Sequence, residues 1–151
     1  MSVLKDKRLP SKAEYVNTAN QIYIETIRFL SRISARYSRL IAGAPAKLAA
    51  ELVEQTEKAN KIFPSDEQRK QLRKAHLLEA QAVLSALDVS LLHCYLVMMK
   101  NPQGCFTNSK GDTLPESKAA ERLDAMSQSL GELIAHEEEL LRGILTSDRK
   151  R

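Results

Sequence analysis

From Leu77 to Met98 the apolar residues recur at alternating steps of three and four: Leu77, Ala80, Leu84, Leu87, Leu91, Cys94 and Met98. An α-helix gathers that spacing onto one side, and a seam of this length has to be buried against other helices. The helix carrying it is marked at both ends. Ser65, followed by Asp66 and Glu67 and with Gln68 three residues on, reads as a capping box, and the acids suit the positive end of the helix dipole. Asn101-Pro102 ends the pattern, because proline has no N–H with which to continue it. A second stripe, Val83, Ala86 and Val97, widens the apolar face and predicts contact with more than one neighbour.

The rest of the chain supplies those neighbours. A first helix over about 12–41 starts at Ser11, with Glu14 completing a capping box. Val16, Ala19, Tyr23, Ile27, Leu30, Ile33, Tyr37 and Leu40 predict its inward face, and Gly43 its end. Pro45 opens a second helix, about 45–62, that turns Leu48, Leu52, Ala59 and Ile62 inward, with Val53 beside them. Phe63-Pro64 closes it, and the third helix, about 66–100, follows with almost no linker. Residues 101–113 read as a polar loop pinned by Cys105-Phe106. Thr113 and Glu116 cap a fourth helix over about 114–145, whose inward residues are Leu123, Met126, Leu130, Leu133, Leu140 and Ile144.

The expected fold is therefore all-α: an antiparallel up-down-up-down four-helix bundle over residues 11–146. A continuous bent rod across the second and third helices is a lesser alternative. A flexible basic arm, 1–10, precedes the bundle, and a basic, frayed tail, 147–151, follows it. Composition agrees: 151 residues with 43% hydrophobic content suffice for one core, while 5% aromatics and no Trp favour aliphatic helix seams. The two cysteines, Cys94 and Cys105, form no CxxC pair and suit a reducing cytoplasm. The N-terminus lacks the apolar stretch of a signal peptide, and no apolar run reads as a membrane span, so the expected location is cytoplasmic.

Charge is unevenly placed. The net charge is +4, yet residues 1–41 hold eight Lys/Arg against three Asp/Glu, whereas residues 101–151 hold seven against nine. The first helix carries Arg28, Arg32, Arg36 and Arg39, which at about 100° per residue fall within an arc of roughly 80°. All four are arginines, whose planar guanidinium grips phosphate through two parallel hydrogen bonds, so the row suits a nucleic-acid backbone. The plainer reading is a solvated face or a set of interhelical ion pairs, but the only nearby acid is Glu25, a partner for Arg28. A second cluster, Arg69, Lys70, Arg73 and Lys74, followed by His76, opens the third helix. Cations there oppose the helix dipole, and they serve either a ligand or plain solubility.

Catalytic patterns are missing from the sequence. A carboxylate-bridged metal bundle needs Glu-x-x-His pairs, and none of the three histidines follows a glutamate by three. No glycine-rich phosphate loop, zinc-protease helix or nucleophile elbow occurs, so neither enzyme activity nor a cofactor nor a metal is expected. His93-Cys94 reads as helix packing, Asp88 as a salt-bridged acid beside the seam, and Glu137, Glu138 and Glu139 as a solvated patch or partners for arginines.

Chain length, helix order, the basic segment IRFLSRISARYSRL, the junction FPSDEQRKQLRKAHLLEA and the run LGELIAHEEELL together resemble one family. It is the accessory variability determinant (Avd) family, bacterial four-helix-bundle proteins of diversity-generating retroelements. The chain is similar, more broadly, to helical bundles encoded in bacterial ribosomal RNA intervening sequences. The resemblance covers roughly residues 15–145 and departs in a longer loop after Lys100 and a longer basic arm. It implies a homopentamer with a positive surface that binds a reverse transcriptase and template RNA and supports mutagenic cDNA synthesis without chemistry of its own; the arginine row by itself does not distinguish RNA from DNA. Independently, Ile24, Phe29 and Val89 lie outside the seams and predict a homo-oligomer. The rival class is a helical protein–protein adaptor whose charge serves solubility.

Overall fold

The computed structural model describes Ser2, Leu4, Lys5 and residues 11–150. The basic arm expected over residues 1–10 lies largely outside the described residues, as does Arg151. The chain is all-helical: α1 is Glu14–Leu30, α2 Ala35–Ile41, α3 Gly43–Lys61, α4 Glu67–Met98 and α5 Glu116–Arg149, with a 3-10 turn at Pro102–Phe106. Among the described residues there is no strand.

The seam of α4 is the centre of the core. Leu77, Ala80, Leu84, Leu87, Leu91, Cys94 and Met98 are all buried. Onto it pack Ala49, Leu52 and Ala59 from α3 and Leu123, Leu130, Ile134 and Leu141 from α5. α1 lies against both α3 and α5, so the four long helices touch in a closed cycle around one apolar interior. Leu78, Val89, Leu92 and Leu96 lie on the outside of α4, each about half exposed. With these outer residues added to the seam, α4, contrary to the expectation from sequence, has a stretch long and apolar enough by length and composition to cross a membrane. Only a third of that stretch is buried inside the fold.

The first helix expected over 12–41 is two helices. After Leu30 the backbone tightens: Arg32 N–H donates to Phe29 O (3.1 Å) and Ile33 N–H to Leu30 O (3.1 Å), while the Ser31 hydroxyl donates to Arg28 O (2.6 Å). Ser34 is extended, at φ −59° and ψ 150°, and its carbonyl then accepts from Tyr37 and Ser38 to start α2. Serines compete for nearby backbone groups in this way, which makes them poor helix interiors and good boundaries. With the helix interrupted, its buried face also turns. Tyr15, Ala19, Ile22, Thr26, Phe29 and Ile33 face in, whereas Ile27, Tyr37 and Leu40 are exposed. Phe29, expected outside, is therefore core, and Ile24 and Val89 are exposed.

The helix ends differ from the expected capping boxes. Asp66, not Ser65, caps α4, its Oδ1 accepting from Arg69 N–H at 2.8 Å. α1 starts without a side-chain cap: the Asn17 amide instead clasps Ser11, accepting from its N–H (2.8 Å) and donating to its carbonyl (2.7 Å). The Thr113 hydroxyl donates to Gln103 O, and Pro115 precedes α5. Gly43 does not stop a helix, since α2 passes through helical Ala42 directly into α3. α5 runs past Leu145 to Arg149, so most of the tail expected to fray is helical.

One core residue breaks the apolar rule. Glu137, expected in a solvated patch, follows Leu130 and Ile134 on the inner face of α5 and is fully buried. Neither carboxylate oxygen has a hydrogen-bond partner among the described residues. Asp88, expected as a salt-bridged acid beside the seam, is exposed and makes no ion pair among the described residues. Burial pushes the Glu137 carboxyl up to about 8, and Glu14 nearby adds to the push. Below the ordinary value both folded and unfolded chains hold this proton. Between that value and about 8 only the folded chain holds it, so stability falls as pH rises, by about 1.4 kcal/mol per pH unit at most, and levels off above. The melting temperature is expected to drop between about pH 5 and about pH 8, and Glu137→Gln to flatten that drop. Melting curves followed by circular dichroism check it, and an unchanged slope in the variant contradicts it.

Candidate nucleic-acid interface

The break after Leu30 redistributes the arginine row. Arg28 sits in the last turn of α1, Arg32 in the connecting turn, and Arg36 and Arg39 on α2. All four are exposed, although they do not lie on one straight helix face. Arg28 pairs with Glu25 at 3.2 Å. Arg32 lies over the Phe106 ring, its Cζ 5.0 Å from the centroid, and Arg36 over Tyr37 at 6.0 Å. Arg39 makes no ion pair among the described residues. Arg28 also suits the negative end of its own helix, a local benefit of a few tenths of a kcal/mol to about 1 kcal/mol.

Phe106 reaches Arg32 because the loop after α4 is folded. Pro102 and Cys105 are buried, and Phe106 packs half-buried against the core. The turn is closed by Asn101, whose carbonyl accepts from Gly104 N–H at 3.2 Å. The Gln103 side chain then donates to Leu114 O (3.0 Å), which ties the turn to the entry of α5. α5 in turn delivers Arg122. Arg28, Arg32 and Arg122 border one groove of about 390 Å³, with Phe29, Phe106, Ala125 and Met126 as its apolar parts and Glu25 as its one acid. Nothing in the sequence singles out Arg122: it is a single cation in a mixed-charge run, with no spacing relation to the row.

The second cluster divides. Arg69 is exposed and held by Asp66 at 2.6 Å. Lys70 and Lys74 border a different groove, of about 490 Å³, together with Arg142 and Arg149 from the far end of α5. Arg73 turns inward: its Nε donates to Asp148 at 2.6 Å, and its Nη1 donates to the carbonyls of Ala59 (3.0 Å) and Ile62 (3.2 Å) at the end of α3. Arg73 thus joins three helices, and its side chain is spent on the fold. His76 Nδ1 lies 2.7 Å from Gln55 Oε1. Arg122 and Arg142 are twenty residues apart on a straight helix rising about 1.5 Å per residue, so the two cationic grooves lie about 30 Å apart. The structure does not join the two clusters into one surface.

Both cysteines are buried, and burial holds each thiol above its usual value, so neither is a reactive thiolate at neutral pH. Among the described residues no three His, Cys, Asp or Glu side chains come together as a metal ion would require. A scan against protein-family models matches none, and searches of the curated proteins and of the solved structures return no match.

The two kinds of arginine separate by mutation. The Arg73 and Asp148 side chains are only 11% and 16% exposed. Breaking a pair this enclosed leaves a charge and two carbonyls without partners, so Arg73→Gln is expected to cost about 3 kcal/mol. Arg36→Gln, on an exposed face, is expected to stay within about 0.5 kcal/mol. Urea unfolding curves read both, and equal effects would mean that Arg73 is not structural.

Proposed function

We propose that this chain is a non-catalytic nucleic-acid-binding accessory subunit of a diversity-generating retroelement, which binds a reverse transcriptase and its template RNA to support mutagenic cDNA synthesis. The observation that carries the reading is the cationic ridge at the α1–α2 turn. Four arginines within twelve residues stay exposed, and among the described residues only Arg28 of the four is neutralised by an acid. An ion-pair network would have drawn them onto neighbouring helices, as Arg73 is drawn onto Asp148. Exposed guanidinium groups in a row are what phosphate contacts require, and such contacts hold a strand in place without reading its sequence. Arg32, Arg36 and Arg39 are the principal contacts in this reading. Arg69, Lys70 and Lys74 form a separate secondary surface.

The proposed arrangement is an antiparallel up-down-up-down four-helix bundle that assembles into a homopentamer in the cytoplasm, as the resemblance to the Avd family implies. The outer stripe of α4, with Leu78, Val89, Leu92 and Leu96 half exposed, supports self-association, since an apolar strip of this length is costly to leave in water. The same stripe favours the second reading, a helical protein–protein adaptor without a nucleic-acid role. Salt separates the two, because phosphate contacts release counterions and helix docking does not.

RNA affinity is expected to fall steeply with salt, and Arg32→Gln with Arg36→Gln to weaken it similarly for unrelated sequences. Each lost contact should flatten the log–log salt slope by about 0.7–0.9. Filter binding across a salt series measures this. A double variant that binds RNA unchanged but loses its oligomeric state would give the adaptor reading the lead.

A further inference from the structure

We infer that the groove between the α1–α2 turn and α5 is a subsite for an unstacked nucleotide of a single-stranded nucleic acid. The inference rests on the nucleic-acid reading above and specifies which form of nucleic acid the site takes. Three cations reach the groove from three separate parts of the chain: Arg28 from the end of α1, Arg32 from the turn and Arg122 from α5. Glu25, the one acid there, is already engaged by Arg28. The groove's volume of about 390 Å³ lies within the range of small-molecule sites.

Phosphate contacts alone would not favour single strands; Phe106 does. Its ring is backed by the core and carries the Arg32 guanidinium at 5.0 Å. An aromatic ring joined to a guanidinium is a surface on which an unpaired base stacks. In a duplex the base faces are covered by their neighbours, so only the phosphates are within reach. The groove therefore assigns stacking to Phe106 and phosphate neutralisation to Arg32 and Arg122, with Arg28 held by Glu25 at its border. If Phe106 merely pinned the loop, leucine would replace it, because packing needs apolar volume and stacking needs a ring.

The two contributions respond differently to salt. Stacking releases no counterions, so Phe106→Leu is expected to weaken single-strand binding on the order of tenfold at every salt concentration and to leave duplex binding unchanged. Arg122→Gln is expected to weaken binding and also to flatten the salt slope. Arg122 is exposed, so this variant keeps its fold even if Phe106→Leu loosens the loop.

The chain contains no Trp, so Phe106→Trp places one fluorophore in the groove. Titration with oligouridine is expected to quench its emission saturably, while a duplex of equal phosphate content binds through the ridge without comparable quenching. Quenching by single strands alone, with both loss-of-binding results, supports the subsite. Oligouridine that binds by anisotropy without quenching, together with a neutral Arg122→Gln, overturns the subsite and leaves the accessory-subunit reading standing. Equal quenching by duplex or by polyglutamate also overturns it. Absence of binding by either strand form removes both readings.

Discussion

The seam of α4 is the constraint on which the rest of the structure depends. Eight residues from Leu77 to Met98, Val83 among them, are buried on one side of a single long helix. α3 and α5 lie directly against it, and α1 closes the remaining side. Arg73 fixes the end of this arrangement through Asp148 and the last carbonyls of α3. Burial raises the nearby Tyr15 phenol above its usual value, against the pull of Arg73. The same end of the fold holds a largely enclosed charged pair, while Glu137 lies unpaired on the inner face of α5.

That frame determines what the cationic residues do. At the end near Arg73 the charges are partly consumed by the fold, with Arg69 tied to Asp66 and Arg73 to Asp148. At the α1–α2 turn, among the described residues, only Arg28 is engaged in this way, by Glu25. α2 buries none of its residues, so its arginines ride on α3 with their side chains in solvent. The break at Ser31–Ser34 costs a continuous helix and divides the row: Arg28 and Arg32 border the groove with Phe106 and α5, while Arg36 and Arg39 continue on α2.

Sequence made the aliphatic seam legible because strict three–four spacing has no other solution. It misplaced the inner face of the first helix because Tyr15 and Thr26, both buried, are not read as core residues by hydropathy. The break after Leu30 was hidden by chemistry that is weak in sequence: two serines lower helix preference only slightly, and their hydrogen bonds decide the outcome in context. Glu137 was legible in principle. It stands three residues after Ile134 and four before Leu141, both buried, and that spacing outweighs its charge. The groove was not legible at all, because Arg122 and Phe106 meet the arginine row only through the folded loop and α5.

Photocrosslinking with a 4-thiouridine-containing single-stranded RNA, mapped by mass spectrometry, is the most direct test of a nucleic-acid interface at the bent cationic ridge, away from the apolar outside of α4. Crosslinks are expected from Arg32 to Tyr37, at Phe106 and around Arg122, and they should disappear with excess unlabelled strand. Adducts at Val89, Leu92 and Leu96, with the ridge unmodified, would contradict it.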